Sequence, residues 1–210
     1  MIKSALVLKG QGRVPDGDKA RRYGIRRLYY EAIDTEMSAR YLAEVRSWGF
    51  LPGVMWDPSW TNYSDSPEVW IQKLNKQYEV LAPRGPDGRR PGVSVMLDIE
   101  RHDPNYVYRA LTEFRRTRPG CNVVWTVEYH QAGWFTDELV ALINDYRQLV
   151  VVPQCYYGDM VNYISDAAAL RDQTNRGVSN QRVAFFYSTR VPVPYSWDGV
   201  LYLENWALLP

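Results

Sequence analysis

Two carboxylates stand one residue apart in Asp98-Ile99-Glu100, at the end of an apolar, β-branched run that begins at Gly92. Successive side chains of a strand point to opposite faces, so a strand through this run turns Asp98 and Glu100 to the same side. Two acids on one face at the end of a buried strand are costly unless something uses them. Neighbouring carboxyls raise each other's pKa, and one then stays protonated as a general acid beside an ionised partner. The competing reading is a solvated strand end whose acids cap the next helix. Asp103-Pro104 already supplies such a cap, which leaves Asp98 and Glu100 for chemistry.

The elements that must hold this pair recur along the chain as strand-like and helix-like runs. Strands are expected at 4–9, 25–34, 50–57, 92–100, 122–130, 149–156, 182–187 and 199–206. A Gly- and Asp-rich loop is expected after the first of them, through Asp18. Thr35 is expected to cap a helix running to Trp48, and Gly49 to stop it. Ser66-Pro67-Glu68 opens a second helix, with Trp70, Leu74, Tyr78 and Leu81 as its apolar stripe. Asp103-Pro104 opens a third, with Val107, Ala110, Leu111 and Phe114 inward and Pro119-Gly120 closing it. Thr136 caps a fourth, with Leu139, Leu142, Ile143 and Tyr146 inward, and a further helix is expected near 165–174. Near-continuous apolar strands are buried on both faces, and long crossovers mark parallel pairing. The expected fold is therefore α/β, a single (β/α)8 TIM-type barrel with short or degenerate helices, forming one domain over residues 1–210.

In such a barrel the chemistry sits at the C-terminal ends of the strands. Read in order, those ends carry Glu31 and Asp34, Asp57, Asp98 and Glu100, Glu128 and His130, Gln154 and Tyr156, Tyr187, and Glu204, Asn205 and Trp206. Thr126 shares a face with Glu128 and His130. Carboxylates ringed by Trp and Tyr suit cleavage of a glycosidic bond through an oxocarbenium-like transition state. Acids also bind divalent metals, but with only two histidines a metal site ranks behind a sugar site, and no cofactor is implied. Glu128 and His130 read equally as an acid/base pair or as a rim hydrogen-bond pair. Trp56 and Trp60 read as packing under the third loop or as sugar platforms, and Trp125 and Trp134 as core or loop packing.

At Asp98-Ile-Glu100, at Tyr156 within Gln-Cys-Tyr-Tyr and at Trp206, the chain resembles the family 25 lysozyme-type muramidases and, less closely, the family 18 chitinases. The resemblance implies that Glu100 protonates the glycosidic oxygen. It implies that Asp98 orients the substrate's N-acetyl group or stabilises the cation that group forms. Tyr156 would then bond the N-acetyl carbonyl, and Trp206 would floor the sugar. Asp57, Glu128, Gln154 and Tyr187 complete the expected substrate-binding set. Two departures stand against the pattern. The muramidases carry an Asp at the end of the first strand, where this chain has Lys9-Gly10-Gln11, and the chitinase pattern calls for an Asp where Met96 stands. Two functions follow. One is a glycoside hydrolase acting on or binding an N-acetylated polysaccharide, with peptidoglycan leading. The other is an inactive phage virion, tail or adsorption protein that retains the barrel and pairs with other virion proteins.

Composition bounds both. Net charge is +1 with no basic stripe, which implies neither nucleic acid nor a charged membrane as partner. The chain has 46% hydrophobic residues, ample for a core, and its 16 Tyr and 8 Trp supply the flat amphipathic rings that sugar-binding surfaces use. Arginine far outnumbers lysine, as in GC-rich coding sources, and a phage of an actinobacterial host would fit. The two cysteines, Cys121 and Cys155, form no zinc spacing and are expected reduced and buried. The first apolar run is too short for a signal peptide, so a soluble protein of the host cytoplasm or the phage particle is expected.

Overall fold

A computed structural model of the chain describes residues 4–7, 17–31, 35–58, 64–87, 92–99, 103–127, 135–153, 177–179, 182–183, 185–188 and 199–203. In chain order the elements are β1 (Ser4–Val7), α1 (Gly17–Arg22), β2 (Arg27–Glu31), α2 (Thr35–Ser47), β3 (Leu51–Trp56), α3 (Pro67–Leu81) and β4 (Ser94–Asp98). They continue with α4 (Pro104–Thr117), β5 (Val123–Val127), α5 (Asp137–Asp145), β6 (Leu149–Pro153), β7 (Phe185–Ser188) and β8 (Gly199–Leu203). The eight strands form one sheet in the order β6-β5-β4-β3-β2-β1-β8-β7, and every pairing is parallel. That is the cyclic order of a barrel. The two outer strands approach each other at one parallel bridge, Val151 to Val183, just ahead of β7.

The strands read as continuous apolar runs because both faces are buried. On the inner face Leu6, Tyr29, Met55, Met96, Val124 and Val152 pack together, one from each of β1 to β6. The alternate residues, among them Val54, Trp56, Val95, Leu97, Val123, Trp125 and Val151, pack outward with the helices. Burying one such large apolar side chain contributes about 1.5–3 kcal/mol. Tyr29 crosses the inner space directly over Gly53. A Cβ at position 53 would lie 2.5 Å from the ring, so only glycine fits there.

Local capping explains where the helices start. Ser66 accepts from the Val69 amide (3.4 Å), Asp103 from Tyr106 (2.7 Å) and Thr136 from Leu139 (3.3 Å). The stripes of α3 and α4 are buried as their spacing predicts, Trp70, Leu74, Tyr78 and Leu81 on one, and Val107, Ala110, Leu111 and Phe114 on the other. Across the α3–α4 seam, Arg109 grips Glu68 with two hydrogen bonds (2.8 and 2.7 Å), and Asn75 donates to Thr117 (2.9 Å). Gly49 ends α2 at φ +80°, a left-handed conformation that favours glycine.

The structure departs from the sequence-based expectations in three places. The loop expected through Asp18 contains α1, a short helix with Asp18 paired to Arg21 (2.5 Å) and Ala20 buried. Its only apolar anchor is that alanine, so it carries no periodic signal. Thr35 is the first residue of α2 rather than its cap. Cys121 is free but only partly buried, in the lining of a pocket. Cys155 and the helix expected near 165–174 lie outside the described residues. Among the described residues no helix is long and apolar enough to cross a membrane.

Candidate functional site

Asp98 ends β4, two residues beyond Met96, which belongs to the inner cluster. Strand alternation therefore turns Asp98 inward, at the C-terminal end of the sheet. Its register partner on β5 is Thr126. The Thr126 side chain is fully buried, and its hydroxyl donates to Asp98 Oδ1 across the two strands. A carboxylate that accepts a hydrogen bond from a buried, β-branched side chain is held in one orientation. Ile99, next along, turns outward and is buried among the helices.

Two further acids occupy the same end of the sheet. Glu31 ends β2, two residues beyond Tyr29, and Asp57 directly follows β3, two residues beyond Met55. Both are half-buried, as is Asp98. β2, β3 and β4 are neighbours, so three successive strands each deliver one carboxylate to this rim. Beneath the rim the inner cluster is apolar, and an acid above such a floor meets protein on one side and solvent on the other. Such an arrangement can hold a polar ligand and move protons to or from it.

The rest of the expected site is only partly in view. Glu100, Glu128, Gln154, Tyr156 and Trp206 lie outside the described residues, as do Asp34, Trp60, His130, Trp134, Glu204 and Asn205. Tyr187 is on β7, in register with Leu201 of β8, which is in turn in register with Ala5 of β1. Trp56 is buried in the helix-facing core, its ring centroid 6.3 Å from that of Tyr78, so it packs rather than presenting a platform. Trp125 packs likewise, 5.6 Å from Phe135. Met96, where the chitinase pattern calls for an acid, is fully buried in the inner cluster. Among the described residues no three His, Cys, Asp or Glu side chains gather as metal ligands would.

One residue of the site was not singled out from sequence. Thr126 carried only the signal of strand parity. Its bond to Asp98 depends on the β4–β5 register, which is a non-local property.

No protein-family model matches the chain, and no curated protein matches its sequence. Solved structures are similar in fold. One is active domain 2 of a thermostable chitinase from Pyrococcus furiosus, a catalytic-site mutant complexed with chito-oligosaccharides. It matches at TM-score 0.58 and 10% identity, over 90% of this chain and 72% of that one. Another is the N-terminal domain of a putative aldolase from Bacteroides vulgatus, at TM-score 0.55 and 13% identity, over 89% of this chain and 63% of that one. At these identities the likeness is one of fold, and it agrees with the barrel-type strand order.

Proposed function

We propose that the chain forms a complete (β/α)8 barrel of the glycoside hydrolase type, acting on or binding an N-acetylated polysaccharide, with peptidoglycan as the leading candidate. The observation that carries the reading is Asp98, inward at the C-terminal end of β4 and held by Thr126. Glu31 and Asp57 on the adjoining strand ends support it. The chitinase domain similar in fold was complexed with chito-oligosaccharides, which favours an N-acetylated ligand over other sugars.

In this reading Glu100 donates the proton to the glycosidic oxygen. Asp98, fixed by Thr126, orients the N-acetyl group or steadies the cation that forms as the bond breaks. Tyr156 bonds the N-acetyl carbonyl, Trp206 stacks beneath the sugar, and Asp57, Glu128, Gln154 and Tyr187 line the groove. The purified protein is expected to release reducing ends from bacterial cell walls. Glu100→Gln should remove about two to four orders of magnitude of rate while glycan binding persists, since the amide keeps the shape and loses the transferable proton. Asp98→Asn should also cost rate. Activity that survives Glu100→Gln undiminished refutes the assignment of the acid.

A second reading is favoured by Met96. Its burial in the apolar layer, together with Lys9-Gly10-Gln11 in place of a strand-one acid, removes both partners that related sites supply. The barrel would then bind glycan without cleaving it, as a phage virion or adsorption protein does. Wall binding with no turnover by the unmutated protein is its expected result.

A further inference from the structure

The opposite end of the sheet holds a second polar site. A pocket of about 580 Å3 opens at the N-terminal ends of β2 to β5, lined by residues that include Arg27, Arg84, Ser94, Arg118, Cys121 and Asn122. Three arginines and no acid line it among the described residues.

Arg27 is the telling one. It opens β2, shares inward parity with Tyr29, and is only 9% exposed. Its Nε is buried with no hydrogen-bond partner, and no carboxylate pairs with it among the described residues. The Tyr29 ring packs against it, its centroid 6.0 Å from the guanidinium carbon. The Tyr29 hydroxyl, beside Arg27 and Ser94, is likewise buried without a hydrogen-bond partner. Arg118, by contrast, is spoken for. It pairs with Glu79, donates to Asn75 (2.7 Å) and lies 4.9 Å over Tyr78, which fixes it as one wall.

A guanidinium N–H buried without an acceptor is unfavourable. Buried charges are retained where a counter-charge meets them. Its planar fork matches the paired oxygens of a carboxylate or a phosphate. The pocket is also of the size that small-molecule sites occupy, with Tyr78, Val93 and Pro119 as apolar wall.

We infer that this N-terminal pocket binds a small organic molecule through an oxyanion group, a carboxylate or a phosphate, that docks on Arg27 between Arg84 and Arg118. The site is independent of the rim that carries Asp98 and of whatever chemistry occurs there, because the apolar layer of Tyr29, Met55 and Met96 separates the two.

An NMR titration of the 15N-labelled full chain tests it, with inorganic phosphate in one arm and sodium acetate in the other. Ionic strength is held constant with sodium chloride. The expected result is saturable movement of the Ser94, Cys121 and Asn122 amides in at least one arm, with those of Asp98 and Thr126 still. The responding arm tells a phosphoryl from a carboxylate ligand. Arg27→Met should weaken the binding roughly tenfold or more. If that variant fails to fold, Arg84→Met at the exposed mouth is read instead, with a severalfold weakening expected. Movement in neither arm overturns the inference, and so does an affinity left unchanged by the variant that is read.

Discussion

Replacing Gly53 with alanine is expected to loosen the sheet from its inner face. The added Cβ would sit 2.5 Å from Tyr29 Cδ1, 2.7 Å from Cε1 and 3.1 Å from Cγ. Carbon atoms in contact prefer about 3.5–4.0 Å, so the ring must retreat by roughly 1 Å. It has little room to do so, being fully buried among Leu6, Met55 and Met96. Overpacking of this kind costs about 1–3 kcal/mol. A domain of this size loses about 2–4 °C of Tm per kcal/mol, which puts the expected drop at about 2–12 °C. Calorimetry and urea denaturation would measure it. Gly92→Ala is the control, since its new methyl meets nothing within 4 Å and should stay within about ±0.5 kcal/mol of the parent. Combining Gly53→Ala with Tyr29→Leu should cost less than the two changes added, because the smaller side chain yields the space. A Gly53→Ala protein as stable as the Gly92→Ala control would refute the placement of the Tyr29 ring over Gly53.

Thr126→Val keeps the buried shape but removes the hydroxyl that donates to Asp98. It should cost about 1.5–3 kcal/mol in denaturant titrations, and no loss would mean that the bond is absent. Burial pushes the Cys121 thiol from its ordinary 9.0 up to about 11. Each pKa unit is a tenfold change in thiolate, so alkylation at pH 8, followed by peptide mass spectrometry, should run about 100-fold slower than for an exposed cysteine. The rate should climb toward pH 11, and a fast rate at pH 8 would contradict the burial. Met96→Asp, which restores the acid of the chitinase pattern, should destabilise the fold rather than create activity. The new carboxylate would enter the apolar layer of Leu6, Tyr29, Met55, Val124 and Val152. A stable, more active Met96→Asp protein would show that position 96 faces the substrate.

What could be read from the sequence is what local chemistry decides. Ser66, Asp103 and Thr136 announce their helices because each cap accepts from an amide only three residues on. The strands announce themselves because burial on both faces leaves no polar alternation. α1 stays silent, since a helix of six residues anchored by Ala20 has no period to detect. Arg27 is silent for a different reason. An arginine at the start of a strand looks solvated, and nothing nearby in the chain says that, among the described residues, no acid lines the pocket at its end of the sheet. The same period of two that places Asp98 also orders both ends of the sheet. Ser94, Met96 and Asp98 are successive inward residues of β4, polar at each end and apolar between. β2 repeats the pattern with Arg27, Tyr29 and Glu31. The middle layer is thus a plug, with a basic end below and an acidic end above. A cation-rich floor and a carboxylate rim on the same strands attract opposite kinds of ligand. An anion drawn to Arg27 is repelled by Glu31, Asp57 and Asp98, so the charge pattern itself keeps the two sites from competing for one molecule.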